Sequence, residues 1–512
     1  MNFARNLVLL MLSLLTFACV DELDFNKFDE VSPAPNVLLP GLEVSVKLED
    51  FLQGDSVLTQ DPDGFLRFVY EEDSLFSMSA TEFVSIPAQE PFALDNIPII
   101  QDSTLTFTID AALSSLGDME LEQIDFRRLA ITWSISTPAQ APVSVQYTFN
   151  NASRNGMPLT VTGQSFGPGD FDGLQIFNDV SMDLTQSGNP AAPPYNNLSL
   201  TLSVTPDPSI PTGTPVTIGF GLDSTVIGTV SGYFGQRPVN LPNGNVNLDL
   251  GSISEFTSGF TLTDPRLKFI MNNGMGISMG LNMDLDGVNS DGAITALNPP
   301  PFNVAQPTVP GTSVVSEFEL NNGNSNIVSF LDALPTNLIY SGGLTLNPNN
   351  TGQTPNFLSD QDRLSVGMEI DLPMELRTQD LRFSDEFEMA LSDQEFIELL
   401  VFRFESVNGF PLDMTVKLSF LDSLGGVTDS VVMPILDAAE VDANGRAIQP
   451  MTNVIDVTLT ERQINTLATA PSWRITGRVA TPDLGQTAVR LYADYTLEIS
   501  MSLKGRIRFA EL

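Results

Sequence analysis

Histidine is missing altogether from this chain of 512 residues, and cysteine occurs once, as Cys19. Without imidazole there is no Ser-His-Asp or Cys-His catalysis, no histidine general base, and none of the usual zinc, copper or non-haem iron sites. A lone cysteine cannot form an internal disulfide, so folding must rest on packing. Basic residues are also scarce, with 23 Lys+Arg against 63 Asp+Glu and a net charge of −40. That field repels phosphate backbones and anionic bilayers, which excludes nucleic acid as a partner and direct adhesion to an anionic bilayer through protein charge. Only 2 Trp and 7 Tyr are present, too few for the aromatic girdles of a membrane-spanning barrel. What chemistry remains is carboxylate chemistry: calcium binding, or hydrolysis by a pair of acids.

Apolar residues are plentiful, at 42% of the chain with 33 Phe, enough for several packed cores. The first of them form a run from Leu7 to Ala18 behind Arg5. That run is too short to span a bilayer and fits the core of a signal peptide covering residues 1–18. Thr16-Phe17-Ala18-Cys19 resembles a bacterial lipobox, which implies that Cys19 is lipidated and becomes the mature N-terminus. Asp21, Glu22, Asp24, Asp29 and Glu30 then make residues 19–36 an acidic tether. The tether resembles the acidic export signal of Bacteroidota lipoproteins, which implies an outer-membrane, lipid-anchored protein facing outside the cell.

Beyond the tether the pattern is that of strands. Val366, Met368, Ile370 and Leu372 alternate with polar residues and glycine, as do Leu412, Met414, Val416, Leu418 and Phe420, and Leu497, Ile499, Met501 and Leu503. A period of two with one apolar face marks sheets buried on one side, and 37 Gly with 35 Pro punctuate the runs. Thr460 and Gln463 form a capping box that predicts a helix over residues 461–469, and residues 326–334 and 48–53 are further short helix candidates. The expected fold class is all-β: tandem β-sandwich domains, immunoglobulin-like or similar, with a few short helices.

Three segments share one pattern: Asn155-Gly156-Met157-Pro158-Leu159, Asn273-Gly274-Met275-Gly276-Ile277 and Asn408-Gly409-Phe410-Pro411-Leu412. Asn-Gly supplies the positive φ angles of a tight turn, so each reads as a hairpin. Their spacing is that of one sandwich. The expected division is an N-terminal β domain over 37–122 followed by three sandwich units over 123–252, 253–378 and 379–512. With Leu39-Pro40-Gly41-Leu42, Asp61-Pro62-Asp63-Gly64 and the stretch from Asp264-Pro265 to Gly276-Ile277, the layout resembles uncharacterised surface-exposed lipoproteins of Bacteroidota with tandem β domains. That family carries no assigned activity, so the resemblance implies location and architecture.

One segment resembles a calcium loop. Asp284, Asp286 and Asp291 stand among Asn282, Asn289 and Gly292, but Ala293 occupies the place where a bidentate acid would be needed. The competing reading is an amphipathic strand, with Met279, Leu281, Met283 and Leu285 inward, running into a turn. Glu386, Glu388, Glu395 and Glu398 make an acidic stretch in which nothing singles out a catalytic pair. The sequence therefore points to a non-enzymatic lipoprotein with a binding or structural role, held at the membrane by its lipid. Its expected partners are an outer-membrane protein complex or a glycan. A glycan-binding lipoprotein assisting an outer-membrane importer and a carboxylate-dependent glycosidase are the alternatives. No cofactor beyond possible calcium is expected.

Overall fold

The computed structural model describes residues 36–48, 57–84, 86, 89, 91–248, 259–349, 355–388 and 397–507. Cys19, the signal segment and residues 19–35 lie outside them, as does nearly all of the candidate helix 48–53. The described residues form strands joined by turns and a few short helices. Two helices fall where the sequence places them. Ile327–Asp332 lies within 326–334, and Glu461–Thr469 is closed by the predicted box, with the Thr460 hydroxyl accepting from the Gln463 N–H at 3.3 Å.

The strands group into three sandwiches of paired sheets, and every pairing is antiparallel. In the first, one sheet runs Phe92–Pro98, Pro215–Tyr233, Glu120–Thr137, Gly169–Asp183. Its facing sheet runs Leu105–Ala112, Asn197–Pro206, Val143–Arg154, Met157–Gln164. The two sheets touch at one corner, where Ala152 to Arg154 pair with Val180 to Met182.

The second sandwich sets Leu66–Ser79, Arg363–Pro373, Arg266–Asn273, Val314–Leu320 against Gly244–Asn247, Pro335–Leu346, Met279–Asn289, Ile294–Leu297. The third sets Asn36–Lys47, Thr496–Ile507, Ile397–Asn408, Met451–Leu459 against Leu381–Glu388, Ser472–Ala480, Asp413–Leu421, Val427–Leu436. Numbered along the chain within each sandwich, the sheets read 1-8-3-6 and 2-7-4-5 all three times. That connectivity, two interleaved Greek keys of eight strands, is the jelly roll. The all-β sandwich class expected from the sequence therefore holds, with jelly-roll rather than immunoglobulin connectivity.

The first strand of each sandwich changes the domain division. Asn36–Lys47 belongs to the third sandwich, Leu66–Ser79 to the second and Phe92–Pro98 to the first. The chain thus deals out one strand per sandwich in reverse order before building the three bodies in forward order. Residues 37–122 are not a domain, because their strands close three different sheets. The expected units 123–252, 253–378 and 379–512 each hold strands three to eight of one sandwich. The pattern that marks a strand carries no mark of its partner, which here can lie hundreds of residues away.

The internal repeat is real but sits elsewhere than expected at its first copy. Asn155-Gly156 is a two-residue hairpin turn, with φ of 50° and 74°, and it joins neighbouring strands of one sheet. Asn273 and Asn408 instead close the third strand of their sandwiches, where the chain crosses to the facing sheet. Both side chains are buried and bonded alike. The Asn408 oxygen accepts from Phe410 N–H at 2.9 Å and its amide donates to the carbonyls of Leu412 and Asp437 at 3.0 and 2.8 Å. The Asn273 oxygen accepts from Met275 N–H at 2.9 Å, and its amide donates to Ala305 at 2.9 Å and Ile277 at 3.4 Å. The following glycines donate to the first residue of the eighth strand, Gly274 to Arg363 and Gly409 to Thr496.

In the first sandwich this corner is Thr137. Its hydroxyl accepts from Ala139 N–H at 3.2 Å and donates to the carbonyl of Pro215, the first residue of that eighth strand, at 3.1 Å. The three corners lie 136 and 135 residues apart (137 to 273, 273 to 408), and an aromatic ring stands four positions before each: Trp133, Phe269 and Phe404.

Packing forms two cores. The first and second sandwiches share one, which also takes in Leu491, Tyr492 and Tyr495. The third has its own, around Leu418, Phe420, Val416, Ile475 and Trp473. Strand Asn356–Ser359, in the connection between the seventh and eighth strands of the second sandwich, pairs with Thr229 to Gly232 of the first. Arg127 donates to Asp360 across the same seam, with Nη2 2.8 Å from Oδ1.

Candidate functional site

The calcium candidate is a strand followed by a turn. Met279, Leu281, Met283 and Leu285 are buried, and Asp284 is exposed on the opposite face with Asp286 half-exposed. Asp291 sits in the turn, where the Asn289 side-chain oxygen accepts from Asp291 N–H at 3.1 Å and Ala293 N–H at 2.9 Å. That oxygen closes the backbone, and Gly292 adopts φ of 80° to complete the bend. Asp284, Asp286 and Asp291 are not brought into one group. Among the described residues no cluster of three or more Asp, Glu, Cys or His side chains is placed to hold a metal ion.

The acidic stretch yields no pair. Glu386 is bound by Arg474, Glu395 lies outside the described residues, and the side chains of Glu388 and Glu398 are not described. Neither tryptophan offers an open stacking platform. Trp473 is buried, its ring packed edge-on to Phe420 with centroids 5.8 Å apart. Trp133 is half-buried, wedged between Gly163 and Gly173 on the edge strands of the two facing sheets. A Cβ on Gly163 would lie 2.5 Å from Trp133 Cε3, and one on Gly173 2.6 Å from Cε2. The two glycines exist to admit the indole.

Polar and aromatic contacts gather at a joint between the second and third sandwiches. The Phe65 and Tyr492 rings lie 5.4 Å apart, Tyr492 and Tyr495 5.7 Å, and Phe410 and Tyr495 5.7 Å. Arg446 places its guanidinium 4.1 Å over the Tyr492 ring and donates to Asp494 at 2.9 Å, so its charge is met from two sides. Arg490 lies 5.4 Å over Phe65 and donates to Glu375 at 2.6 Å. The Glu375 carboxylate raises the Arg490 pKa above its ordinary value.

The Tyr495 hydroxyl accepts from Ala447 N–H at 2.7 Å, and burial pushes its pKa up to about 12. Backbone bonds tie the same segments: Leu66 N–H to Leu491, Ala493 N–H to Gly64, Leu491 N–H to Met374 and Leu48 N–H to Tyr495. A tyrosine held protonated and two arginines each set between an aromatic ring and a carboxylate make a fastening. Asp442-Ala443-Asn444-Gly445 has the composition of a turn. It is one, with the Asp442 carboxylate accepting from Asn444 and Arg446 N–H groups. Nothing local announced that the turn delivers Arg446 to Tyr492.

No family model matches the chain, and no curated protein does. Solved structures with partial likeness include a protein of Parabacteroides distasonis ATCC 8503 described as a candidate secreted protein, at 10% identity and a TM-score of 0.29, covering 92% of this chain and 99% of that one. An archaeal virus protein with a triple jelly roll fold and turret assembly aligns at 10% identity and a TM-score of 0.12, over 82% of this chain and 90% of its own. The tandem CBM22-1–CBM22-2 domain of Paenibacillus barcinonensis Xyn10C aligns at 9% identity and a TM-score of 0.13, over 58% of this chain and 97% of its own. Superpositions this loose carry no argument, and the jelly-roll assignment stands on strand order alone.

Proposed function

We propose that this chain is an exported, lipid-anchored protein of the outer membrane, displayed on the outer face, that acts without catalysis as a structural or binding body. The observation that carries the reading is where the tether leads. Asn36, next to the acidic segment, opens a strand paired along its length with Thr496–Ile507, the last strand of the last sandwich. A load on the anchor therefore passes into a sheet at the far end of the sequence rather than into a terminal domain. The shared core of the first two sandwiches and the aromatic joint to the third continue that path. The lack of histidine fits the same role.

The test is made in the native host. Mass spectrometry of the mature protein is expected to find an acylated Cys19 at the N-terminus, and Cys19→Ala is expected to move the protein from the membrane fraction to the soluble one. An unmodified N-terminus at another residue would overturn the anchoring.

A further inference from the structure

The outer face of one sheet in the first sandwich is built almost wholly of uncharged polar side chains. The sheet is formed by Leu105–Ala112, Asn197–Pro206, Val143–Arg154 and Met157–Gln164, and its register sets the outward residues in rows across the strands. One row is Thr108, Thr201, Thr148 and Thr160. The next is Thr106, Ser203, Gln146 and Thr162. A third carries Thr205, Ser144 and Gln164, with the Thr104 hydroxyl 3.0 Å from that of Thr205. At strand spacing the three rows cover a patch roughly 14 Å square. No charged and no large apolar side chain stands in them.

Many of these hydroxyls are unspent. Thr148 accepts from Gln146 at 3.3 Å and Thr201 donates to Asn150 at 3.1 Å. The hydroxyls of Thr106, Thr108, Ser203, Thr160 and Thr162 have no hydrogen-bond partner among the described residues. A hydroxyl both donates and accepts, and a β-branched threonine is stiff, so the array is in place before any ligand arrives. Acids stand at the rim. Asp110, one row beyond, and Asp207, past the end of its strand, each accept a backbone N–H at 2.9 Å, from Gly188 and Ser209.

Strand propensity does not account for the pattern. The corresponding sheet of the second sandwich carries Asp284 and Asp286 on its outer face, and that of the third carries Arg382, Arg474, Arg478 and Lys417. These positions tolerate charge in the other two bodies and are free of it here.

What the face can hold follows from what it lacks. With no apolar side chain to bury, it offers no anchor point to a protein and nothing to a lipid tail. A cationic partner finds no carboxylate among the rows, and an anionic polymer meets the acids at the rim and the field of a chain of net charge −40. What remains is a partner whose own groups donate and accept without charge. Each such bond replaces one to water and gains little, so binding needs many of them repeated along one molecule. We propose that this face binds a neutral polysaccharide lying across the rows, hydroxyl to hydroxyl. The inference rests on the binding role proposed above and is independent of the anchor.

The experiment uses the full-length lipidated protein in detergent, sedimented with insoluble cellulose, curdlan, mannan and chitin, and with alginate beads. The protein is expected to pellet with at least one of the four neutral polymers and not with alginate. Thr106→Val, Thr108→Val and Thr162→Val change exposed positions, keep the branched shape and remove free hydroxyls. The triple variant should bind at least about fivefold more weakly. Thr415→Val with Thr476→Val, on the matching face of the third sandwich, should bind as the native chain does. Pelleting with none of the neutral polymers, pelleting equally with alginate, or equal binding by the native chain and the triple variant would overturn the inference and leave the anchoring intact. Self-association that rises with protein concentration and is lost in the triple variant would assign the face to a second copy of the chain and also overturn it. An unacylated N-terminus would overturn the anchoring and leave the polysaccharide site standing.

Discussion

At the scale of single residues, the three corner side chains do what a longer stretch of backbone would otherwise have to do. Asn408 satisfies one N–H and two carbonyls that are buried where a strand leaves its sheet. Asn408→Ala leaves these groups without partners and should cost about 3 kcal/mol, read as a lower denaturation midpoint of the third sandwich. Asn408→Asp keeps the acceptor but turns a carboxylate oxygen towards two buried carbonyls, and should cost at least as much. Trp133 gives a second test. Gly163→Ala forces the indole out of its slot at a cost of about 1–3 kcal/mol and should red-shift the emission of Trp133, with Trp473 as the unmoved internal reference.

The Arg127–Asp360 pair gives a pH dependence. The Arg127 guanidinium holds the Asp360 carboxyl below the ordinary carboxylate range. A carboxylate whose folded-state pKa is depressed adds stability above its unfolded pKa, and that stability is lost as pH falls through the folded value. Neighbouring Asp362, raised by burial, acts with the opposite sign, gaining stability as it protonates. The comparison must therefore be between the native chain and Asp360→Asn. Their urea midpoints should differ at pH 6 and converge as pH drops below about 4.

At the scale of elements, the first strand is the informative one. A chain beginning at Leu48 should unfold the third sandwich and leave the first two sandwiches folded. Circular dichroism melts and size-exclusion chromatography check this. The uncovered edge of Thr496–Ile507 should make the truncated chain self-associate.

Elements were also where sequence reading succeeded and stopped. The strand at Met279–Asn289, the helix at Glu461–Thr469 and the turn at Asp442 were legible because alternation, capping and turn chemistry are local. Pairing was not. Asn36–Lys47 reads as a strand, but nothing in it names Thr496–Ile507. Asn155-Gly156 and Asn408-Gly409 look alike as dipeptides and differ only in what surrounds them: open solvent for the first, a buried crossing for the second. The true partner of Asn273 and Asn408 is a threonine because Pro138 follows it, removing the N–H that glycine supplies in the other two corners, so the hydroxyl must reach Pro215 instead. The joint around Tyr492 was illegible for the same reason, its rings and cations arriving from four separate segments.

At the scale of the whole molecule, two cores imply two cooperative units. Calorimetry should show two transitions, the larger belonging to the first and second sandwiches together. Phe420→Ala, in the core of the third, should cost about 3–5 kcal/mol and move only the smaller transition. A single transition displaced as a whole would show that the joint couples all three sandwiches.

The reversed dealing of first strands also sets an order in time. Pro98 meets Pro215, Ser79 meets Arg363, and Lys47 meets Thr496, so each successive closure encloses the one before. Closing the outermost pair directly from the unfolded chain costs about 1 kcal/mol more in loop entropy than closing the innermost. Once the inner bodies have formed, that excess shrinks. Maturation should therefore run from the inside outwards, and Asn36–Lys47, the first of these strands to be made, should be nearly the last to find its place. Until then its edge stays open, so the chain carries an unpaired strand while everything that follows is built.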